Sequence, residues 1–255
     1  MESAQRIVLI TGSARGIGAE TARVLAARGD HVIVNYREKR KRAVALAEEI
    51  ADAGGSASTA GADISDAASA HALIEGIATE FGRLDVLVLN ASGGLERGAG
   101  PDYALALNRD AQVRLVRLAL PQMSAGGRIV FVTSHQAHFH GRKPVPADYL
   151  PIAASKRAGE DALRAMIPEL AEHGIDLVVV SGDMIDGTTI VLLLERRDPE
   201  AVAARKEHGE LPTIREFATA VAQATGETVE SGHTVYVGGV DYLDAEGLPV
   251  GAGGS

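Results

Sequence analysis

The feature that most constrains the fold is a series of short, continuously apolar runs along the 255-residue chain. Runs typical of strands stand at 6–10, 31–36, 84–91, 127–134, 176–182 and 234–239, with a weaker one at 57–63. Segments with helical spacing lie between most of them, at 16–28, 40–53, 66–81, 102–120 and 152–173. Because strands covered by helices on both faces are apolar throughout, the alternation predicts a doubly wound parallel α/β sheet of about seven strands.

The predicted organisation is a single domain over residues 1–246, since one α/β domain commonly exceeds about 200 residues. Residues 183–212 are expected to form a substrate-covering insert, and residues 247–255 a flexible tail. Irregular segments at 92–100, at 135–150 and within the insert begin where predicted strands end. Open α/β sheets bind ligands at that edge, so we expect a wide pocket there.

Charge and cysteine content argue against several classes of partner. A formal charge of -9 disfavours binding to nucleic acid or to an acidic membrane surface. With no cysteine, the chain has no disulfide and no thiolate, which agrees with a reducing compartment. The first apolar run is too short for a signal peptide, and no run approaches a membrane span. We therefore expect a cytoplasmic protein.

A glycine-rich turn, TGSARGIG at 11–18, follows the first predicted strand and opens the first predicted helix. Gly12, Gly16 and Gly18 can form a tight turn that admits a pyrophosphate to the free N–H groups of the helix. Taken alone, the turn could equally be structural, because such a motif is weakly specific.

The G-x-x-x-G-x-G spacing of this turn resembles that of the short-chain dehydrogenase/reductase family, and the resemblance continues along nearly the whole chain. The ordered matches are Asp63-Ile64, Asn90-Ala91, Asn108, Ser134 and Ser155-Lys156. The chain departs from the family pattern at Leu89, Ser92 and Ser181. The resemblance implies a Rossmann-type fold and carbonyl reduction or alcohol oxidation with a nicotinamide cofactor.

The resemblance also implies a set of cofactor-binding residues. They are Gly12, Ser13, Arg15, Gly16, Ile17, Gly18, Asn35, Arg37, Asp63, Ile64, Asn90, Ala91, Ser92, Lys156, Gly182 and Thr188. NAD-selective sites commonly end the second strand with an acidic residue, whereas this chain reads VNYREKRKR there. Arg37 and Arg15 suit a 2′-phosphate, so the expected cofactor is NADP(H). Glu38 and the basic start of a surface helix favour the opposite interpretation.

The family's catalytic tyrosine, four residues before the lysine, is replaced by Ile152. In the family that tyrosine donates the proton, the lysine lowers its pKa and binds the nicotinamide ribose, and the serine holds the carbonyl. The expected catalytic residues here are therefore Ser134, Lys156, Asn108, and Tyr149 as a displaced acid. The family's water-relay role for Asn108 loses its purpose without the tyrosine, and the alternative is that Asn108 only caps or stabilises a helix backbone. Pro151 suits a first helical turn, which puts Tyr149 in the loop before the helix.

Three hypotheses remain for the missing proton donor. In the first, a phenolic hydroxyl of the substrate, beside the ketone, supplies the proton. The Ile152 pattern with LNASGG and SHQAHFHG resembles the atypical ketoreductases of angucyclinone (simocyclinone-type) antibiotic biosynthesis, which fits that hypothesis. In the second, Tyr149 is the acid. In the third, the protein is a catalytically silent NADP-binding sensor.

The expected substrate is a small aromatic ketone. The candidate substrate-binding residues are Ser92, Ser134, His135, Ile152 and Asp183. His135, His138 and His140 have spacings that could suit a metal, but no nearby carboxylate or thiol completes a ligand set, so no metal is expected. The family resemblance implies a homodimer or homotetramer through the helices at 102–120 and 152–173.

Overall fold

The computed structural model describes residues 5–94, 102–147, 149–197, 199–207 and 209–239, with residues 189, 190, 193, 197 and 201 described by backbone only. The predicted tail at 247–255 and most of the segment at 92–100 lie outside these ranges. None of the helices in the described part of the chain is both long and apolar enough to cross a bilayer.

Seven parallel strands form one sheet in the order β3-β2-β1-β4-β5-β6-β7. They are β1 (Ile7–Ile10), β2 (His31–Tyr36), β3 (Ser56–Gly61), β4 (Leu84–Leu89), β5 (Met123–Ser134), β6 (Asp176–Gly182) and β7 (His233–Val237). The predicted Rossmann-type fold class is confirmed. The direction of winding reverses between β1 and β4, so the crevice beyond their carboxyl ends is the expected ligand site.

Helices connect the strands. They are α1 (Gly16–Ala27), α2 (Arg40–Asp52), α3 (Ala67–Phe81), α4 (Tyr103–Leu105), α5 (Gln112–Ala119), α6 (His135–His138), α7 (Leu150–Ala165), α8 (Ile167–Glu172), α9 (Thr189–Arg197), α10 (Pro199–Glu207) and α11 (Ile214–Ala224). A π-helical segment, Ala106–Ala111, joins α4 to α5. The predicted helix at 152–173 is two helices, because Pro168 stands in the first turn of α8.

The core lies on both faces of the sheet. Leu9 packs with Leu115 of α5 on one face, whereas Val8 packs with Leu25 of α1 and Phe217 of α11 on the other. Successive side chains of a strand point to opposite faces, so a strand buried on both sides is apolar at every position. This burial explains the continuous runs in the sequence.

The insert at 183–212 contains helices α9 and α10, which the sequence analysis treated as irregular. Val191, Val202 and Leu211 form a small buried cluster of their own beneath these helices. Each helix has only nine residues and Pro199 begins the second, so neither extends far enough to give a clear amphipathic period.

Candidate active site

The glycine turn is fastened to the end of β4 by two polar side chains. Thr11 Oγ1 accepts the backbone N–H groups of Asn90 and Ala91 at 3.0 and 2.9 Å. Asn90 Nδ2 donates back to the carbonyl of Thr11 at 2.9 Å. Asn90 and Ala91 therefore lie against the turn, and Thr11 joins them to it.

Asn35 also holds the turn. Its Oδ1 accepts the N–H of Gly12 at 3.1 Å, and its Nδ2 donates to the carbonyls of Ala60 and Ala62 at 3.1 and 3.2 Å. The side chain is buried at the end of β2. Its amide binds backbone groups, so the structure gives Asn35 a supporting role for the turn.

Close packing explains the glycines of the turn. Gly12 has a φ of +63°, and a Cβ there would lie 3.1 Å from the Cα of Ala91. A Cβ on Gly18 would lie 2.8 Å from the Cα of Ser13. Ser13 is buried and its hydroxyl donates to the carbonyl of Ile10 at 2.7 Å, so it shapes the turn from inside.

The start of α1 fits a pyrophosphate. No side chain caps this helix, and Arg15 stands exposed at its N-cap. Gly16 is exposed with a φ of +57°, and a Cβ on it would meet no atom within 4 Å. Ile17 packs behind the turn against the core. Open space beside uncapped N–H groups at the positive end of a helix suits an anion.

The residues expected near the adenosine part of the cofactor lie just beyond the carboxyl ends of β2 and β3. Asp63 Oδ1 accepts the N–H and the hydroxyl of Ser65 at 2.9 and 2.6 Å, and Ile64 is buried in the core. Arg37, exposed beyond β2, donates from Nη1 to the Tyr103 hydroxyl at 2.6 Å. No pattern in the sequence predicts that contact.

Ser134 ends β5, and its hydroxyl lies 3.4 Å from the hydroxyl of Tyr149. Tyr149 is the N-cap residue of α7, with Pro151 in the first turn, as predicted. Burial raises the pKa of the Tyr149 phenol, and the hydrogen bond with Ser134 opposes this shift only in part. Tyr149 is therefore close to Ser134 and is a weaker acid than an ordinary tyrosine.

Lys156 lies on α7 with its side chain buried. Burial lowers the pKa of its ammonium to about 8, and the negative charge of Glu160 opposes the shift. Among the described residues, no acceptor forms a hydrogen bond with the Lys156 Nζ. A buried cation without a hydrogen-bonding partner is costly, which fits a site that holds ribose hydroxyls.

Ile152, four residues before Lys156 on α7, is buried. A Cβ built on Gly94 would lie 2.4 Å from the Cδ1 of Ile152 and 2.8 Å from the Cβ of Ala104. Ile152 therefore packs against the loop after β4. An aliphatic side chain in this contact supplies no exchangeable proton.

Asn108 lies in the π-helical segment and joins two parts of the site. Its amide exchanges hydrogen bonds with the backbone of Gly93, at 3.1 and 2.9 Å, and donates to the Ser155 hydroxyl at 2.9 Å. The Ser155 hydroxyl donates to the carbonyl of Ile152 at 2.9 Å. Asn108 thus fixes the loop after β4 to α7.

His135 and Asp183, two of the candidate substrate-binding residues, bond to other parts of the protein. His135 is buried, with Nδ1 2.8 Å from the Ser181 hydroxyl and Nε2 3.0 Å from the carbonyl of Gly238, and burial lowers its pKa. Asp183 forms a buried ion pair with Arg205 of α10, whose Nε lies 2.7 Å from Oδ2. Both side chains are thus bonded within the protein, and their contact with a substrate stays a prediction.

Three further candidate ligand-binding residues, Gly182, Thr188 and Ser92, differ in their exposure to solvent. Gly182 is buried at the end of β6, where a Cβ would clash with the ring of Phe217. Thr188 Oγ1 donates to the carbonyl of Ile185 at 2.8 Å, just before α9. Ser92 is exposed beyond β4, so its side chain is accessible to a ligand.

A buried charge network lies behind Lys156. Glu160, one turn further along α7, accepts from Arg164 Nε at 2.8 Å and binds His138 Nδ1 at 2.8 Å. His138 Nε2 lies 3.0 Å from the Tyr236 hydroxyl on β7. Within the described ranges, no group of three or more His, Cys, Asp or Glu side chains could hold a metal ion.

Comparison with known proteins bears directly on this site. The family profile of the short chain dehydrogenases matches residues 6–211. The chain belongs to the short-chain dehydrogenase family. Its predicted membership of this oxidoreductase family is therefore confirmed.

Relatives of this short-chain dehydrogenase are reductases. The 1-cyclohexenylcarbonyl-CoA reductase of Streptomyces collinus is 31% identical over 246 residues, covering 92% of this chain and 86% of its own. A probable tetrahydroxynaphthalene reductase of Zymoseptoria tritici is 32% identical, covering 69% of this chain and 67% of its own.

Solved structures of short-chain dehydrogenases share the fold. The reductase LugOII, which catalyses keto-reduction at C1 during lugdunomycin biosynthesis, is 28% identical with a TM-score of 0.77, covering 92% of this chain and 97% of its own. The angucycline C-6 ketoreductase LanV, solved with bound NADP, is 28% identical with a TM-score of 0.77, covering 92% of this chain and 95% of its own.

Proposed function

We propose that the protein is an NADPH-dependent ketoreductase that reduces a carbonyl of an aromatic, angucyclinone-like polyketide in antibiotic biosynthesis. The reductases of polyketide pathways among its relatives and structural neighbours support this substrate class. The observation that carries the proposal is the buried aliphatic contact of Ile152 at the usual donor position, beside a retained Ser134 and Lys156.

The residues of the crevice would hold the cofactor along its length. The N-terminus of α1 would take the pyrophosphate, Arg37 and Arg15 the adenosine phosphate, and Lys156 the nicotinamide ribose. Bound NADPH would supply a hydride to the carbonyl carbon. With a pKa of about 8, Lys156 remains largely an ammonium at neutral pH and can donate to ribose oxygens.

The Ser134 hydroxyl would orient the substrate carbonyl by donating a hydrogen bond to its oxygen, with the exposed Ser92 as a second contact. As the carbonyl carbon gains hydride, its oxygen must gain a proton. We assign this proton to a phenolic hydroxyl of the substrate beside the carbonyl, with an ordinary pKa of about 10. The resulting phenolate would recover a proton from water, so no enzyme acid is consumed.

A second candidate donor is Tyr149. Its hydroxyl lies 3.4 Å from that of Ser134, so a carbonyl held by the serine would have a phenol of the enzyme nearby. Against this role, burial raises the pKa of Tyr149, whereas general acids work best with a pKa near the operating pH. We therefore assign Tyr149 to the orientation of Ser134.

We also propose a homodimer or homotetramer formed through α5 and α7. An exposed groove of about 510 Å³ between these helices includes Arg109, Asp110, Val113, Arg117 and Ala162 among its lining residues. Adjacent opposite charges on a half-apolar surface suit a two-fold contact with a second copy. Light scattering of the purified protein measures the subunit number. The single domain over residues 1–246, its tail and a cytoplasmic location belong to the same proposal.

The decisive experiment compares two substrates. Purified protein is incubated with NADPH and a polycyclic ketone carrying an adjacent phenol, and in parallel with the same ketone as its methyl ether. We expect reduction of the phenol and at least a hundredfold slower reduction of the ether, although both ketones bind. Equal reduction of both would favour Tyr149 as the acid, and reduction of neither despite NADPH binding would favour the sensor.

A further inference from the structure

A hydrogen bond crosses the expected cofactor crevice. Arg37 lies just beyond β2, and Tyr103 begins α4, in the connection that follows β4. Since β1 and β4 are the strands between which the winding reverses, the two residues come from opposite sides of the switch point. Arg37 Nη1 donates to the Tyr103 hydroxyl oxygen at 2.6 Å, across 66 positions of sequence.

The two side chains differ in how firmly they are held. The ring of Tyr103 is half-buried and packs against the core cluster that contains Leu107 and Leu115. The Arg37 side chain is 41% exposed, with its Nε 3.3 Å from the carboxylate of Glu38. The anchored phenol therefore fixes the direction of a long and otherwise mobile side chain, which reduces the entropy lost when a ligand binds.

The chemistry of the pair suits a phosphate monoester. Because the Tyr103 oxygen accepts from Arg37, its own O–H remains to donate elsewhere, and the adjacent cation strengthens that donation. Arginine offers five N–H donors, of which Tyr103 takes one, so the guanidinium retains donors for an anion. The carboxylate of Glu38 repels such an anion. A neutral donor on the other side of the crevice, the Tyr103 hydroxyl, is therefore more important for binding it.

We propose that Tyr103 and Arg37 together form a clasp over the adenosine end of the cofactor, in which the Tyr103 hydroxyl is a direct ligand of the ribose 2′-phosphate. The assignment rests on the proposed NADPH preference and adds to it a specificity residue from the other side of the crevice. Arg37 supplies the charge, and Tyr103 orients Arg37 and contributes one further hydrogen bond.

The test measures binding of two adenosine fragments by calorimetry, 2′,5′-ADP and 5′-AMP, which differ only in the 2′-phosphate. Tyr103→Phe keeps the packed ring and removes the hydroxyl. We expect it to weaken 2′,5′-ADP about tenfold, as for loss of one hydrogen bond to a charged group, and to leave 5′-AMP unchanged. Tyr236→Phe removes a phenol at the other end of the sheet and should alter neither affinity.

Two outcomes separate the clasp from the proposed cofactor. If the unaltered protein binds 2′,5′-ADP more tightly than 5′-AMP and Tyr103→Phe keeps that preference, the clasp is wrong and the NADPH preference stands. If the unaltered protein shows no preference between the fragments, both are overturned. Glu38→Gln supplies an independent check, because removal of the competing carboxylate should tighten 2′,5′-ADP binding alone.

Discussion

The hydroxyl oxygens of Ser134 and Tyr149 lie 3.4 Å apart, although fifteen residues separate them in sequence. This separation is beyond the usual 2.5–3.0 Å of an O–H···O bond, so the contact in the ligand-free protein is weak. Ser134 is the residue that would hold a substrate carbonyl. Among the described residues, Tyr149 is the only one whose phenol contacts the Ser134 hydroxyl.

The Tyr149→Phe variant therefore distinguishes two roles for Tyr149, that of a general acid and that of a residue that only orients Ser134. General acid catalysis contributes about 10²- to 10⁴-fold, whereas loss of a weak orienting bond costs about tenfold or less. We expect Tyr149→Phe to lower kcat on the phenol-bearing ketone by no more than about tenfold and to leave NADPH affinity unchanged. Ser134→Ala, which removes the carbonyl contact itself, should cost more. A loss above a hundredfold in the Tyr149 variant would identify it as the acid.

A tyrosine introduced at position 152, where the proposed function places the family's proton donor, is not expected to act as an acid. Ile152 is packed against Gly94, and a larger ring there overfills the contact. We expect Ile152→Tyr to lower the free energy of unfolding by about 1–3 kcal/mol and to confer no reduction of the methylated ketone. Ile152→Val, the control, leaves only a small cavity and should cost about 1 kcal/mol. Denaturant unfolding measures both, and reduction of the methylated ketone by Ile152→Tyr would contradict the expectation.

Much of the fold is readable from sequence because burial on both faces leaves a direct mark. The buried stretches of β1, β2, β4, β5 and β6 are almost entirely apolar, as a strand covered by helices on both faces requires. The glycine turn is likewise readable, since Gly12 and Gly18 are demanded by close backbone packing. The helices of the insert were missed because their short apolar faces cover only a small separate cluster.

The side-chain geometry of the site is less readable. Asn35 and His135 are polar residues at strand ends, where a ligand contact and a backbone contact look identical in sequence, and the structure shows backbone partners for both. The contact of Arg37 with Tyr103 joins positions 66 apart that share no periodicity. The direction of Tyr149 depends on the path of residues 135–147, which no motif determines.

Close approach of α7 to the π-helical segment depends on Gly159. A Cβ there would clash with the carbonyl oxygen of Asn108, and neither backbone can yield without moving the loop that Asn108 holds. We expect Gly159→Ala to destabilise the protein by at least about 1–3 kcal/mol and to reduce activity with it. Gly76→Ala on α3 is the matched control. A Cβ there meets no atom within 4 Å, so this variant should gain up to about 1 kcal/mol. Equal unfolding midpoints for the two variants would refute the close-packing explanation.

The buried ammonium of Lys156 makes stability depend on pH in a defined direction. Burial lowers its pKa from the ordinary value of 10.5 to about 8, so between these values the unfolded chain binds more protons than the folded protein. Stability from this group therefore rises with pH across that window.

Lys156→Met removes the buried charge and should be more stable than the unaltered cofactor-free protein at pH 7, by up to about 3 kcal/mol. The difference should shrink as pH rises from about 8 toward 10.5. Denaturant unfolding of both proteins at several pH values measures it, and a difference that is constant or grows with pH would show that the charge of Lys156 is not the cause. The same variant should lose NADPH affinity, since the hydrogen bonds to the ribose are absent.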